Sequence, residues 1–119
     1  MIIGNGVDVT DLARIQRAQS RSANFASRVL TAAELAVYET LTAKRQVEYL
    51  GGRFSAKESY SKAYGTGIGT QLSFQEIEIL NDDLGQPQVV KHPLKDEAQA
   101  FISISHTAEL VFTEVLLEK

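Results

Sequence analysis

The sequence predicts a single α+β domain over residues 1–119, with helices mainly in the first half and antiparallel strands mainly in the second. Three observations carry that prediction. Up to Gly65, apolar residues recur at helical spacing between capping signals. Beyond it they alternate or run in short stretches, broken by the turn sequence Asn81-Asp82-Asp83-Leu84-Gly85. The chain has 119 residues, enough to bury one core with little margin for another.

Met1 to Val9 opens with Ile2, Ile3, Val7 and Val9 around two glycines, the pattern of a first strand whose backbone is bared at Gly4 and Gly6. Thr10 stands where a helix cap belongs, and Leu12 and Ile15 give residues 11–18 an inward side. Thr31-Ala32-Ala33-Glu34 has the form of a capping box, so a second helix should start there. The longest helical pattern runs from Ala43 to Tyr64 and ends at Gly65, a residue suited to the left-handed position after a helix. Gly51 and Gly52 inside it each cost roughly 1 kcal/mol relative to alanine. Either the helix breaks there or a neighbour packs closely against it. Ile77 to Leu80 and Gln86 to Val90 flank the turn as two strands, with Pro87 placing the second near an edge. Residues 100–105 and 110–117 make two more, joined by a connection over 106–109.

Composition removes several function classes. With 44% hydrophobic and 23% charged residues and no low-complexity tract, the chain should fold. It has no cysteine, which excludes disulfides, thiolate metal sites and thiol nucleophiles. No basic leader precedes an apolar run and no run approaches the roughly 20 residues of a membrane span, so a soluble, cytoplasmic protein is expected. The net charge of −3 hides an asymmetry. Residues 1–70 carry nine Lys or Arg against six Asp or Glu, and residues 71–119 carry three against nine. An anion site is therefore expected in the first half, while an acidic chain of pI about 5.3 is no general nucleic-acid binder.

Five segments could carry chemistry. In Gly4-Asn5-Gly6-Val7-Asp8 the glycines would let a phosphate or metal approach the backbone, and a carboxylate at a strand end is a hard oxygen ligand suited to magnesium. A plain strand with an aspartate at its exit is the simpler alternative. In Arg53-Phe54-Ser55-Ala56-Lys57-Glu58-Ser59-Tyr60-Ser61-Lys62, helical spacing stacks Phe54, Glu58 and Lys62 on one face with Ser61 beside them. A carboxylate and an ammonium there suit a magnesium–phosphate ligand, with a surface Glu-to-Lys pair as the simpler alternative. Gly65-Thr66-Gly67-Ile68-Gly69 could aim backbone N–H groups at a phosphate, or simply cap a helix; it lacks the features of a P-loop. Ser103-Ile104-Ser105-His106-Thr107 ends a strand in a histidine, and neighbouring strand residues face opposite ways, which argues against a serine hydrolase. Arg14, Arg17, Arg21 and Arg28, with Phe25, would form one basic stripe if helix continued that far, either a solvated face or a dock for an acidic protein.

In order and spacing these segments together resemble the holo-acyl-carrier-protein synthases, the short bacterial members of the 4′-phosphopantetheinyl transferase family, over nearly the whole chain. The resemblance implies that fold and a magnesium-dependent transfer of the 4′-phosphopantetheine of coenzyme A to a serine of apo acyl carrier protein, releasing 3′,5′-ADP, in support of fatty acid biosynthesis. It implies Asp8 and Glu58 as metal ligands and Lys62 and His106 as phosphate ligands, these four being the catalytic set. Lys44, Arg45 and Arg53 become further coenzyme A contacts, together with Ser61, Gly65 and Thr107. Arg14, Arg21 and Phe25 would meet the carrier protein, and the site would lie between subunits of a homotrimer. Glu58 or a water on the metal would accept the serine proton. Asn5 departs from the apolar residue that many relatives carry there. Two rivals are a non-catalytic module binding coenzyme A or a nucleotide, and a structural trimer that docks an acidic partner.

Overall fold

The computed structural model describes residues 1–119. Strand β1 (Ile2–Asp11) leads into helices α1 (Leu12–Arg21), α2 (Phe25–Val29), α3 (Ala32–Tyr38) and α4 (Ala43–Tyr64). A short 3-10 turn (Phe74–Glu76) then precedes strands β2 (Glu78–Asn81), β3 (Pro87–Lys91), β4 (Gln99–His106) and β5 (Leu110–Glu118). This is the expected α+β order. The first strand pairs with the last, giving an antiparallel three-stranded sheet in the order β1-β5-β4, while β2 and β3 form a separate hairpin.

The sheet is one-sided, and its alternation shows it. Along β5, Val111, Thr113, Val115 and Leu117 are buried and the residues between them are not. The buried face rests on α4, where Ala56, Tyr60 and Ala63 join Val115, Leu117, Leu72, Ile77 and Ile79 in one core. A second core forms where α1, α2 and α3 meet α4 around Ile15, Ala26, Val29, Leu30, Tyr38 and Leu50. Packed on several sides, α4 buries nearly every residue from Leu50 to Ser61, polar ones included.

Most predicted boundaries hold, and the exceptions have physical reasons. Thr10 is no cap: it stays paired with Val111, the strand continues to Asp11, and the Asp11 carboxylate accepts from the Ala13 N–H at 2.9 Å. The capping box at Thr31 forms, with the Thr31 N–H donating to Glu34 at 2.8 Å. Glu34 does more than cap. Its buried carboxylate also receives the Ile79 N–H at 2.8 Å and the Lys57 ammonium at 2.6 Å, and Lys57 donates further to the Val29 and Phe74 carbonyls. Gly51 and Gly52 do not break α4. A Cβ at Gly51 would lie 2.6 Å from Leu12 Cδ2, so that glycine is where α1 packs against α4. Gly65 closes α4 at φ 106°.

The outer face of the sheet carries an uncovered apolar patch beside an exposed hydrogen bond from Asn5 to Glu114 at 2.9 Å. Val7, Val9, Phe101, Leu110 and Phe112 are all exposed by 42–59%, and register sets Val9 directly beside Phe112 and Phe101 beside Leu116.

Candidate active site

Period two along β1 turns Gly4, Gly6, Asp8 and Thr10 toward α4, while Val7 and Val9 point out. The glycines serve the helix, not a ligand. A Cβ on Gly4 would overlap the Ala63 carbonyl, and one on Gly6 would overlap the Ser59 carbonyl and crowd the Ala63 nitrogen and Lys62 Cβ. The expectation that they admit a phosphate or metal is corrected accordingly: bare backbone lets α4 lie directly on β1. That close approach sets the last turns of α4 beside Asp8.

Lys62 Nζ consequently donates to the Val7 carbonyl at 2.9 Å and stands 3.4 Å from Asp8 Oδ1. One turn earlier, the half-buried Glu58 carboxylate has no hydrogen-bond partner. Burial and then the nearby Asp8 charge push its pKa up, opposed by Lys62 and Arg14. Two carboxylates and an ammonium are gathered, as magnesium with a phosphate ligand would require, although no three His, Asp or Glu side chains cluster tightly enough for an all-protein metal cage. The donor set fits an ion that keeps sites for substrate oxygens and water.

Ser61 does not join them. Its fully buried hydroxyl donates to the Glu58 backbone carbonyl at 2.6 Å, because the i, i+3 position turns it back onto its own helix. Gly65 follows at the exposed end of α4, with nothing within 4 Å of an added Cβ.

The remaining basic residues lie elsewhere. Register pairs Asp8 of β1 with Thr113 and His106 of β4 with Val111, so Asp8 and His106 are on opposite edges of the sheet. His106 lines a cavity of about 520 Å³ with Arg45, Arg53, Tyr49, Gly85 and Pro87. Arg53 is anchored there: Nε donates to the Ile79 carbonyl at 3.2 Å, Nη2 to Asn81 at 3.0 Å, and the guanidinium lies 4.4 Å from the Tyr49 ring centroid. Arg45 is exposed, with Glu48 3.8 Å away. Lys44 lines a different hollow, beside Asp11, Glu48 and Glu109. The Thr107 hydroxyl accepts from the Glu109 and Leu110 N–H groups and so holds the β4–β5 turn.

The arginine stripe is broken. Ser22 leaves the helix in extended conformation and α2 starts afresh at Phe25, so Arg28 belongs to a separate helix from Arg14, Arg17 and Arg21. Arg14 and Phe25 nevertheless converge, both packing on Phe54 with centre distances of 5.7 and 6.0 Å. Phe54 is one helical turn from Glu58, which puts this basic, aromatic surface next to the carboxylates.

One feature of the site has no counterpart in the sequence reading. Asp8 Oδ2 accepts from the Thr10 hydroxyl at 2.6 Å and the Ser55 hydroxyl at 2.8 Å; Ser55 meets Thr113 Oγ1 at 2.9 Å, which in turn meets Ser59 Oγ at 2.6 Å. Period two at residues 8 and 10 and the i, i+4 serines at 55 and 59 were the available signals.

A one-sided sheet packed on a central helix, with a strand-borne aspartate beside a helix-borne glutamate and lysine, suits a protein that handles phosphate groups. The chain belongs to the 4′-phosphopantetheinyl transferase superfamily, whose family model matches residues 4–115. It is 61% identical over 119 residues to the holo-[acyl-carrier-protein] synthase of Lacticaseibacillus casei, covering all of this chain and 94% of that one. The crystal structure of a holo-(acyl-carrier-protein) synthase from Bacillus anthracis in complex with CoA (3′,5′-ADP) is similar at a TM-score of 0.91 and 42% identity, over 100% of this chain and 98% of that one. The Neisseria meningitidis holo-[acyl-carrier-protein] synthase matches at 0.90 and 36%, over the whole of both chains.

Proposed function

We propose that this protein is a holo-acyl-carrier-protein synthase, moving the 4′-phosphopantetheine of coenzyme A onto a serine of apo acyl carrier protein and releasing 3′,5′-ADP. The observation that carries this reading is the placement of Asp8, Glu58 and Lys62 together on β1 and α4 in a chain of that family. The serine oxygen bonds to the β-phosphorus of coenzyme A as the pyrophosphate bridge breaks, and the bridging oxygen leaves with 3′,5′-ADP. Such a transfer depends on alignment and charge neutralisation more than on a protein nucleophile.

Asp8 and Glu58 would hold magnesium, which when bound supplies positive charge against the pyrophosphate. Lys62, already tethered to the Val7 carbonyl, would bind a phosphate oxygen beside Asp8. Glu58, its pKa raised by burial and by the Asp8 charge, or a water on the metal would take the serine proton.

His106, Arg45 and Arg53 would grip the phosphates and adenine side of the coenzyme bound against a neighbouring copy. Their distance from Asp8 across the sheet supports a site shared between subunits, and the uncovered apolar face of the sheet supports a homotrimer. Arg14, Arg21 and Phe25 would dock the acidic carrier protein. The substrate being an intracellular coenzyme, the cytoplasm is the proposed place of work and fatty acid biosynthesis the proposed purpose.

Mass spectrometry of an apo carrier protein incubated with this protein, coenzyme A and magnesium tests the proposal. A gain of roughly 340 Da, one phosphopantetheine, that a chelator abolishes is expected. No gain across several apo carriers while coenzyme A still binds would leave a binding module without transferase activity.

A further inference from the structure

The buried hydroxyls behind Asp8 have only one consistent orientation. Each hydroxyl has a single proton to donate, and a carboxylate oxygen only accepts. Thr10 and Ser55 therefore spend their protons on Asp8 Oδ2. Ser55, its proton spent, accepts from Thr113. Thr113, its proton then spent as well, accepts from Ser59, whose proton lies between Thr113 Oγ1 at 2.6 Å and the Thr113 carbonyl at 3.1 Å. The chain runs one way, from α4 to β5, back to α4 and into the carboxylate on β1.

All four hydroxyl-bearing residues are 0–2% exposed, so water cannot replace a missing link and each bond polarises the next. None of their hydroxyls bonds to Lys62. Asp8 thus has one oxygen committed to the protein interior and the other, Oδ1, free of hydroxyl donors and facing Lys62 3.4 Å away.

We propose that Ser55, Thr113, Ser59 and Thr10 are positioning residues for Asp8: their hydroxyl chain fixes the carboxylate through Oδ2 and presents Oδ1 alone to the metal and phosphate. This rests on Asp8 being a metal ligand, as in the function proposed above. The chain serves the site more than the fold, because α4 is already clamped to β1 by the Gly4 and Gly6 contacts and by apolar burial around Val115. Partners that orient a metal ligand typically matter by about ten- to hundred-fold in metal affinity.

Manganese binding to the protein with coenzyme A, followed by electron paramagnetic resonance without carrier protein, is the direct test. Ser55→Ala should weaken manganese binding on the order of ten-fold, and Thr113→Val, which keeps shape and removes no hydrogen bond made directly to Asp8, by a smaller factor in the same direction. Thr113→Ser should restore it. In transfer assays the loss should appear as a higher magnesium requirement, with the KM for carrier protein unchanged. If Ser55→Ala fails to fold, Thr113→Val against Thr113→Ser decides. Wild-type manganese affinity in folded Thr113→Val and Ser55→Ala, with binding lost in Asp8→Ala, overturns the positioning role while leaving the metal site standing. No manganese binding by the wild-type protein overturns the metal site itself, and the positioning role with it.

Discussion

The two edges of the sheet are built for different tasks. At the β1 edge, buried hydroxyls hold Asp8, the Val7 carbonyl tethers Lys62, and close backbone contact between strand and helix sets Glu58 beside them. At the β4 edge, His106 and Arg45 are exposed around an open cavity with one local contact each, to the Thr107 carbonyl and to Glu48, while Arg53 is buried and anchored on the Ile79 carbonyl and Asn81. Rigid carboxylates suit the reacting phosphates, where misplacement is costly. Exposed cations suit the distant end of a long ligand, where charge attraction tolerates a looser fit. Neither edge holds both sets of groups, and the proposed site between two copies of the chain would bring one of each together.

Breaking the rigid edge should have the largest effect. Asp8→Ala and Glu58→Ala are each expected to slow transfer by about 10³-fold or more, against about 10²-fold or less for His106→Ala, with that loss mainly in the KM for coenzyme A. Single-turnover mass spectrometry at saturating coenzyme separates the two. Equal losses at both edges under saturation would erase the distinction.

Next comes the clamp itself. Gly6→Ala forces a methyl into the Ser59 carbonyl and should destabilise the fold by about 1–3 kcal/mol or more, as overpacking does, and lower activity in whatever protein remains folded. Gly52→Ala meets only Ile104 at 3.7 Å and should raise stability by up to about 1 kcal/mol. Urea denaturation of the two variants reads both signs.

On the surface beside the rigid edge, Arg14→Glu should raise the KM for an acidic carrier protein by about ten-fold and flatten its salt dependence, with kcat at saturation changing less. An unchanged salt profile would remove α1 from the docking surface.

The smallest effect lies in the core. Burial and then Lys95 hold the His92 pKa below its ordinary 6.5, with Nδ1 2.9 Å from the Tyr60 hydroxyl. The unfolded chain therefore takes up a proton before the folded one as pH falls below 6.5, and stability is lost through that window and regained above it. Denaturation across pH 5 to 7 should show a shallower slope in His92→Gln.

Elements were legible in the sequence where local chemistry decides them. Thr31-x-x-Glu34 and Gly65 mark helix ends in a few residues, and the alternation of β5 marks its buried face. What local spacing could not show is which distant residues meet. Helical spacing sets Lys62 on the face of Glu58 and Lys57 off it, but nothing in the sequence alone shows that Lys57 is buried against Glu34 while Lys62 stands half exposed beside Asp8. The glycines were read as room for a ligand because a bare backbone looks the same whether a phosphate or a helix fills the space. The arginine stripe failed at Ser22, where the chain turns extended without a proline or glycine to announce it. Asp8 and Glu58 became a pair only through family resemblance and then through the fold.

Complementation between two defective copies tests most directly that the active site takes one edge from each of two chains. Asp8→Ala and His106→Ala proteins, each impaired alone, are unfolded together, refolded as a mixture, and assayed for phosphopantetheine transfer by the mass gain of apo carrier protein. Mixed assemblies contain interfaces with an intact Asp8 edge from one copy facing an intact His106 edge from the other, so activity should return to about a quarter of the wild-type rate. Activity no greater than the sum of the two separate variants, in a mixture shown to exchange subunits, would contradict the shared site and place the whole reaction on a single chain.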